Sequence, residues 1–150
     1  MKKIILTSLA LILSACGGSK DLSGEAVGSS SSSVSNVNET STNNDSIDDA
    51  QLVNLGSRIS GSAGSLDIYD FYEFTAIDGQ FIKINLSGDA GSDLDVYVLN
   101  NSGLIVYSSS GDDSTEEIEF TASYAGTYYV YVYYYSGNES DYELIIEEDN

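Results

Sequence analysis

The stretch Gly126-Thr-Tyr-Tyr-Val-Tyr-Val-Tyr-Tyr-Tyr-Ser-Gly137 decides the fold, because seven of the chain's twelve tyrosines lie between Tyr124 and Tyr135. Aromatic and β-branched residues favour a pleated, half-buried surface, so this stretch is predicted to be a β-strand. Side chains alternate between the two faces of a strand and therefore form two rows. The row predicted to face the core is Tyr128, Val130, Val132 and Tyr134. The row predicted to lie outside the sheet is Tyr129, Tyr131, Tyr133 and Tyr135.

The rest of residues 44–150 repeats this pattern of short apolar runs separated by Gly, Ser, Asn and Asp. The spacing predicts an all-β antiparallel sandwich of about eight strands. The predicted strands are Leu52–Ser60, Tyr69–Ala76, Phe81–Leu86, Leu94–Asn100, Leu104–Ser108, Glu116–Thr121, Thr127–Tyr135 and Tyr142–Glu147. Asn100–Gly103 is predicted to be a hairpin turn, and a short helical turn is predicted between Asp45 and Leu52.

Alternation within these runs predicts which side chains form the core. The predicted inward rows are Ile82, Ile84 and Leu86; Leu94, Val96 and Val98; Ile118 and Phe120; and Tyr142, Leu144 and Ile146. A domain of about 105 residues buries somewhat more than 60% of its unfolded surface, so one core suffices without disulfides.

The first fifteen residues have the order of a bacterial export signal. Lys2 and Lys3 precede the apolar run 4–13, which is too short to span a bilayer stably. The run ends in Leu-Ser-Ala-Cys16, which resembles the lipobox of bacterial lipoprotein signal peptides. The resemblance implies cleavage before Cys16, a diacylglycerol on its sulfur and attachment to a membrane, with the outer membrane of the cell envelope expected because no aspartate follows Gly17 and Gly18. The alternative is an ordinary secretory signal with an incidental cysteine.

Residues 16–43 are rich in Ser, Asn and Thr and show no period that could bury one face. Chains of this composition behave as flexible coils that reach about 30 Å at this length. The sequence therefore predicts a flexible tether over residues 16–43 and a folded domain over residues 44–150.

Composition excludes several classes of chemistry. There is no histidine, and Cys16 is the only cysteine, so disulfides and thiolate metal sites are excluded. Hydrolysis by a nucleophile–base pair would have to use serine with Lys20 or Lys83, and no motif supports either lysine. After removal of residues 1–15, three basic residues remain against 24 acidic ones, a net charge of −21. That charge argues against nucleic acid as a partner and favours cations. A solvated acidic surface without a specific ligand is the preferred explanation for most of these carboxylates. We predict that the chain is not an enzyme.

Several segments together resemble one bacterial family. They are Asn43-Asn-Asp-Ser46, Ala50-Gln-Leu52, Ile59-Ser-Gly-Ser62, Asp70-Phe-Tyr-Glu-Phe-Thr-Ala76, Ser92-Asp-Leu-Asp-Val-Tyr-Val98, Ala125-Gly-Thr-Tyr-Tyr-Val130 and Tyr142-Glu-Leu144. In this order, over residues 44–147, the chain resembles the bacterial pre-peptidase C-terminal domain. The resemblance implies a jelly-roll-like β-sandwich that accompanies secreted peptidases, with relatives among the collagen-binding domains of clostridial collagenases.

The resemblance also implies a calcium site. In the collagenase-type relatives the ligands come from an acidic segment ahead of the sandwich and from aspartates before the Asp70 strand. The matching residues here are Asn44, Asp45, Asp67 and Asp70, whereas Thr40 and Thr42 stand where those relatives have glutamates. Calcium is therefore an expected ligand with weakened affinity. The alternative is that Asp67 and Asp70 only cap the turn before the strand.

The outer row Tyr129, Tyr131, Tyr133 and Tyr135 is the predicted ligand-binding surface. Exposed tyrosines can stack on sugars or pack against extended peptides, because they combine an apolar ring with a polar tip. The predicted function is thus an adhesion module for a polysaccharide or a protein polymer on the cell envelope. Two alternatives stay open: the rings only stabilise the sheet face, or the domain is a ligand-free accessory of a secreted peptidase.

Overall fold

The computed structural model describes residues 34–40 and 43–148, all of which belong to one compact unit, residues 31–150. Cys16 and most of the predicted tether lie outside the described residues. The strands are β1 (Ser35–Asn38), β2 (Gln51–Leu52), β3 (Ser57–Ala63), β4 (Tyr69–Ala76), β5 (Phe81–Gly88), β6 (Ser92–Leu99), β7 (Ile105–Ser109), β8 (Thr115–Thr121), β9 (Gly126–Gly137) and β10 (Ser140–Glu148). Within the described ranges, no helix is both long and apolar enough to cross a membrane.

The ten strands form two five-stranded sheets, which confirms the predicted β-sandwich. The first sheet has the order β1-β3-β10-β5-β8, and the second has the order β2-β4-β9-β6-β7. All neighbours are antiparallel except β1 with β3 and β2 with β4, which are parallel. The tyrosine-rich strand β9 lies at the centre of the second sheet, between β4 and β6.

The core lies between the sheets and confirms the predicted inward rows. All eleven side chains predicted from the alternation of β5, β6, β8 and β10 are buried. In β9, Tyr128, Val130 and Val132 are buried, and Tyr134 packs against the core while half-buried. Every residue of the core cluster lies between Val53 and Ile146, so a fragment of residues 31–150 keeps the whole core.

The predicted boundary between tether and domain is wrong for residues 35–38. These residues form β1, which pairs with β3 from Ser35 opposite Ser57 to Asn38 opposite Ser60. Only Val37 of this strand packs against the core, so no apolar period reveals it. Main-chain hydrogen bonds to the free edge of β3 hold it instead.

Three local predictions have different outcomes. The predicted strand Leu52–Ser60 is two strands, β2 and β3, because a turn through Gly56, whose φ is 83°, carries the chain from one sheet to the other. The predicted hairpin at Asn100–Gly103 is confirmed. The Asn100 side-chain oxygen accepts hydrogen bonds from the main-chain N–H groups of Ser102 and Leu104, each at 3.0 Å. The helical turn is confirmed as a 3₁₀ turn, Ile47–Asp49.

Candidate functional site

The outer face of the second sheet gathers aromatic rings from three adjacent strands. The antiparallel register places Phe71 of β4 and Tyr97 of β6 on either side of Tyr131 of β9. It also places Tyr69 of β4 beside Tyr133 of β9. The side chains that alternate with these rings are buried in the core, so the rings point away from it. We call Tyr69, Phe71, Tyr97, Tyr131, Tyr133 and Tyr135 the aromatic face.

The rings of the aromatic face stack on one another across the strands. The ring centres of Phe71 and Tyr131 are 4.7 Å apart, as are those of Tyr97 and Tyr131, whose planes differ by 11°. Tyr69 stacks on Tyr133 at 5.1 Å. Tyr135 meets Tyr133 edge-on at 6.2 Å and is 64% exposed. The inner rings are therefore half-buried and held by their neighbours, while Tyr135 is largely free.

Burial opposes ionisation of two hydroxyls of the aromatic face, those of Tyr97 and Tyr131. Burial, and then the charge of Asp95, raises the pKa of Tyr97 to about 12. Tyr97 donates a hydrogen bond to Oδ2 of Asp95 at 3.1 Å, and burial raises the pKa of Asp95. Burial likewise raises the pKa of Tyr131. Tyr97 and Tyr131 thus offer polar tips that are not ionised at physiological pH.

An apolar hollow adjoins one end of the aromatic face. The hollow has a volume of about 330 Å³ and lies between Ile47 of the 3₁₀ turn, Phe71 and Leu99. It extends the apolar surface beyond the rings and ends at Gly103 of the hairpin turn. A ligand seated on the rings has room there for one apolar side group.

A second group of functional side chains lies at the end of the sandwich where β3 joins β4. Glu39 follows β1, Asp67 lies in the turn before β4, and Asp70 is part of β4. One carboxylate oxygen from each of the three residues lies within 4.8 Å of the others. We call these three residues the carboxylate cluster.

Asp70 is the most buried member of the carboxylate cluster. Its Oδ2 accepts a hydrogen bond from the Tyr142 hydroxyl at 2.9 Å, and that hydroxyl lies 2.5 Å from the Tyr72 hydroxyl. Its Oδ1 is buried and receives no hydrogen bond from a donor among the described residues. The half-buried Glu39 approaches the buried Asp70, which brings two carboxylates together with little water around Asp70. An arrangement of this kind requires a bound proton or a cation.

Burial and the crowding of carboxylates raise the pKa values of Asp67 and Asp70 in the carboxylate cluster. Burial, followed by the proximity of Glu39, raises the pKa of Asp70 to about 9. Burial, followed by the charges of Glu39 and Asp45, raises the pKa of Asp67 to about 6. Ionisation of both Asp67 and Asp70 is therefore unfavourable unless a cation compensates their charge.

Gly61 of β3 makes room for the cluster. A Cβ atom at this position would overlap the ring of Tyr142 and would lie 2.7 Å from Oε2 of Glu39. The same Glu39 oxygen accepts a hydrogen bond from the main-chain N–H of Ser62 at 3.0 Å. Glycine thus allows both the tyrosine and the glutamate to reach Asp70.

Comparison with known proteins identifies the family. Residues 68–134 match the family model of the bacterial pre-peptidase C-terminal domain. The crystal structure of the pre-peptidase C-terminal domain of a collagenase from Bacillus anthracis superposes with a TM-score of 0.58 at 27% identity, covering 65% of this chain and 94% of that domain. This chain carries a pre-peptidase C-terminal domain.

Two further proteins are similar to this chain, one in sequence and one in structure. Collagenase ColT of Clostridium tetani is 30% identical over 105 residues, which are 69% of this chain. The chain spans 11% of the length of that collagenase. The lysozyme inhibitor PliG of Aeromonas hydrophila superposes with a TM-score of 0.42 at 13% identity, covering 67% of this chain and 99% of that chain. The pre-peptidase C-terminal domain is a non-catalytic domain of secreted peptidases.

The domain brings together part of the predicted tyrosine row and adds rings that the row lacked. Tyr131, Tyr133 and Tyr135 belong to the aromatic face, whereas Tyr129 lies between Glu73 and Leu99 in the register and beside the hairpin turn. The prediction missed Tyr69, Phe71 and Tyr97. The same alternation, applied to β4 and β6, places their side chains outside the core and would have found them.

The predicted calcium residues are only partly assembled in the domain. Asp67 and Asp70 belong to the carboxylate cluster, and Asp45 contacts Asp67. Asn44 is buried with its side chain against Tyr72. Glu39 was missed, although it is the only acid between Glu25 and Asp45.

The sequence left open that Asp67 only caps the turn before β4 with its side chain. The hydrogen bonds described for this turn are main-chain bonds and do not involve the Asp67 carboxylate. Main-chain hydrogen bonds in both directions between Gly64 and Asp67, at 2.9 and 3.1 Å, close this turn. The turn therefore does not depend on the carboxylate.

Proposed function

We propose that this chain is a lipid-anchored, non-catalytic binding module of a bacterial cell envelope, and that its aromatic face holds an extracellular polymer or an envelope protein. The observation that carries the proposal is the aromatic face itself, six neighbouring rings on the outside of one sheet. The proposed anchor is a diacylglycerol on Cys16 in the outer membrane, and it rests on the Leu13-Ser-Ala-Cys16 sequence.

The aromatic face suits binding because its rings are already ordered. Binding usually requires side chains to lose rotational freedom, which weakens affinity. Here stacking on Phe71 and Tyr97 restricts Tyr131 before any ligand arrives. Tyrosine then offers apolar contact area and a hydrogen-bonding hydroxyl with little further loss of entropy.

The position of the N-terminal strand leaves the aromatic face accessible. Strand β1 pairs at the edge of the first sheet, whereas the rings lie on the outer face of the second sheet. A chain that arrives at Ser35 therefore joins the sandwich away from the rings. This arrangement is consistent with a domain that is held from one side and binds on the other.

A retention assay tests the proposal. Residues 31–150 are incubated with insoluble collagen, purified peptidoglycan and a neutral polysaccharide, and the retained fraction is measured. Tyr69→Ser should lower retention, because Tyr69 is 40% exposed and stacks within the face. The matched control is Phe81→Ser, which removes a ring that is 37% exposed on the other sheet.

The competing function is a ligand-free accessory of a secreted peptidase. It predicts that none of the three polymers retains the wild-type fragment above a control protein of similar charge. Equal retention of the Tyr69→Ser and Phe81→Ser variants would also contradict binding through the aromatic face.

A second function, calcium binding, is favoured by the carboxylate cluster. Calcium prefers six to eight oxygen ligands at about 2.3–2.6 Å, so oxygens that share an ion lie within about 5 Å of each other. The spacing of Glu39, Asp67 and Asp70, the unpartnered Oδ1 of Asp70 and the room left by Gly61 all fit such an ion. Glu39 would supply charge that Thr40 and Thr42 cannot. Bound calcium would neutralise the carboxylates and hold β1 to β4.

Thermal unfolding tests the calcium proposal. Calcium should raise the melting temperature more than sodium chloride at matched ionic strength, because only the folded state assembles the ligands. Magnesium should act less, since it requires a smaller octahedral shell. Asp70→Asn should abolish the calcium-specific increase, and Asp78→Asn, in an exposed turn, should retain it. Equal effects of calcium and sodium chloride on the wild type would contradict the site.

A further inference from the structure

The four edges of the two sheets are protected to different degrees. An exposed edge strand pairs readily with another chain unless it is short, charged or bulged. Strand β1 has four residues and β2 has two. Strand β8 carries Glu116, Glu117 and Glu119. Strand β7, at the edge of the second sheet, is the exception among the described strands.

Strand β7 presents an uncharged edge in a strongly acidic chain. Residues 96–111 contain no Asp, Glu, Lys or Arg, although the chain has a net charge of −19. Leu104, Ile105 and Val106 are exposed apolar residues in this segment. One bulge interrupts the pairing of β7 with β6. Tyr107 lies opposite Val98 and Ile105 lies opposite Leu99, so Val106 has no partner residue on β6. Tyr107, Ser108 and Ser109 continue in regular register.

We propose that β7 is a self-association edge, and that β7 strands from two copies of this chain pair antiparallel about a two-fold axis. Antiparallel pairing of identical edges is complementary in its main-chain hydrogen bonds, so a second copy needs no separate recognition sequence. The pairing would join the two five-stranded sheets into one sheet of ten strands.

The local absence of charge makes β7 the described edge at which two copies of this acidic chain meet with the least repulsion. Two copies with a net charge of −19 each repel one another wherever carboxylates meet. Antiparallel pairing of β7 brings Asp112 and Asp113 of one copy opposite the uncharged Asn100–Gly103 turn of the other. No residue of β7 is itself charged. The Glu116 carboxylate of β8 accepts hydrogen bonds from the Ser109 hydroxyl and from the main-chain N–H of Gly111, which confines negative charge to one end of this edge.

Self-association at β7 goes beyond the proposed binding function and would change its strength. In an antiparallel pair the two-fold axis is perpendicular to the sheet, so both aromatic faces lie on the same side of the joined sheet. Two faces on one rigid body bind a repetitive polymer more tightly than one face does, since the second contact is intramolecular.

The oligomeric state of residues 31–150 tests the inference, because this fragment keeps the complete core. Sedimentation equilibrium should give twice the mass of one chain. Association should be tighter at about 0.15 M salt than at low salt, because a screening length of about 8 Å weakens the repulsion between the two acidic chains. Val106→Lys should raise the dimer dissociation constant at least about tenfold, because like charges then meet near the axis. The substitution leaves the β6 pairing intact, since Val106 is the bulge residue and is 40% exposed.

The matched control is Leu52→Lys, which makes the same charge change at the other edge of the same sheet, where Leu52 is 71% exposed. It should leave the dissociation constant of the dimer unchanged. Hydrogen exchange gives an independent measurement, because amides of residues 104–110 should become more protected as the wild-type concentration rises. A wild type that stays monomeric at about 1 mM, or an equal loss of dimer with Leu52→Lys, would overturn the proposal.

Discussion

Tyr131→Ala is the substitution that best tests how the aromatic face is held together. An isolated exposed strand position would lose about 1 kcal/mol or less. Tyr131, however, is half-buried between Phe71 and Tyr97, with both ring centres at 4.7 Å. Each aromatic pair contributes about 0.5–1.5 kcal/mol beyond its buried area, so the two stacked pairs alone contribute about 1–3 kcal/mol. With the lost burial, we expect destabilisation of about 2–4 kcal/mol.

Two comparison variants calibrate this value. Tyr135→Ala removes a ring that is 64% exposed and has one edge-on neighbour, so it should lower the free energy of unfolding by less than about 1 kcal/mol. Tyr128→Ala removes a buried core ring and should lower it by about 3–5 kcal/mol. Urea unfolding followed by circular dichroism measures all three variants, provided that the m-value is unchanged.

A double-mutant cycle with Tyr97→Ala isolates the stacking contribution. The coupling energy between Tyr97 and Tyr131 should be about 0.5–1.5 kcal/mol. Zero coupling, or a Tyr131→Ala variant as stable as Tyr135→Ala, would refute the idea that stacking holds the rings in place.

Three further predictions concern other parts of the chain. Cys16→Ala should abolish incorporation of labelled palmitate in a bacterial host that processes lipoproteins, and a wild type that takes up no label would contradict the anchor. Gly61→Ala should destabilise the fold by about 1–3 kcal/mol through overpacking, since its Cβ would overlap Tyr142. Gly111→Ala should change the free energy of unfolding much less, because its one tight contact, at 3.0 Å, is with the end of the Glu116 side chain. Burial raises the pKa of Asp95, so the folded state binds a proton more tightly than the unfolded chain does, and stability decreases as pH rises above about 3.9. Asp95→Asn should therefore flatten part of the curve of unfolding free energy against pH. An unchanged curve would show that Asp95 does not cause this pH dependence.

The sequence predicts the core well because burial imposes a period of two on every long strand. In β9 the alternation of tyrosine with valine separates the core row from the outer row, and the exposures of Val130 and Val132 agree. Neighbours across strands are harder to predict. Phe71 and Tyr97 reach Tyr131 only through the registers of β4 and β6 with β9, which local sequence does not determine.

The N-terminal strand shows why part of the candidate site escapes prediction. Strand β1 has four residues and buries almost nothing, so its main-chain pairing with β3 leaves no pattern in side-chain polarity. Glu39 reaches Asp67 and Asp70 only because β1 places it there. A carboxylate whose position depends on an edge strand cannot be assigned to a site from spacing alone.

The parallel pairing of β1 with β3 has a mechanical consequence. The N–H of Ser35 donates to Gly56 at one end of the pairing, and the N–H of Glu39 donates to Ser60 at the other, each at 2.8 Å. Tension that enters the domain at residue 34 and pulls along the strand loads these hydrogen bonds in shear, so they resist together and do not open one after another. Under such tension, the force at which the domain yields would be set by this short strand and not by the hydrophobic core.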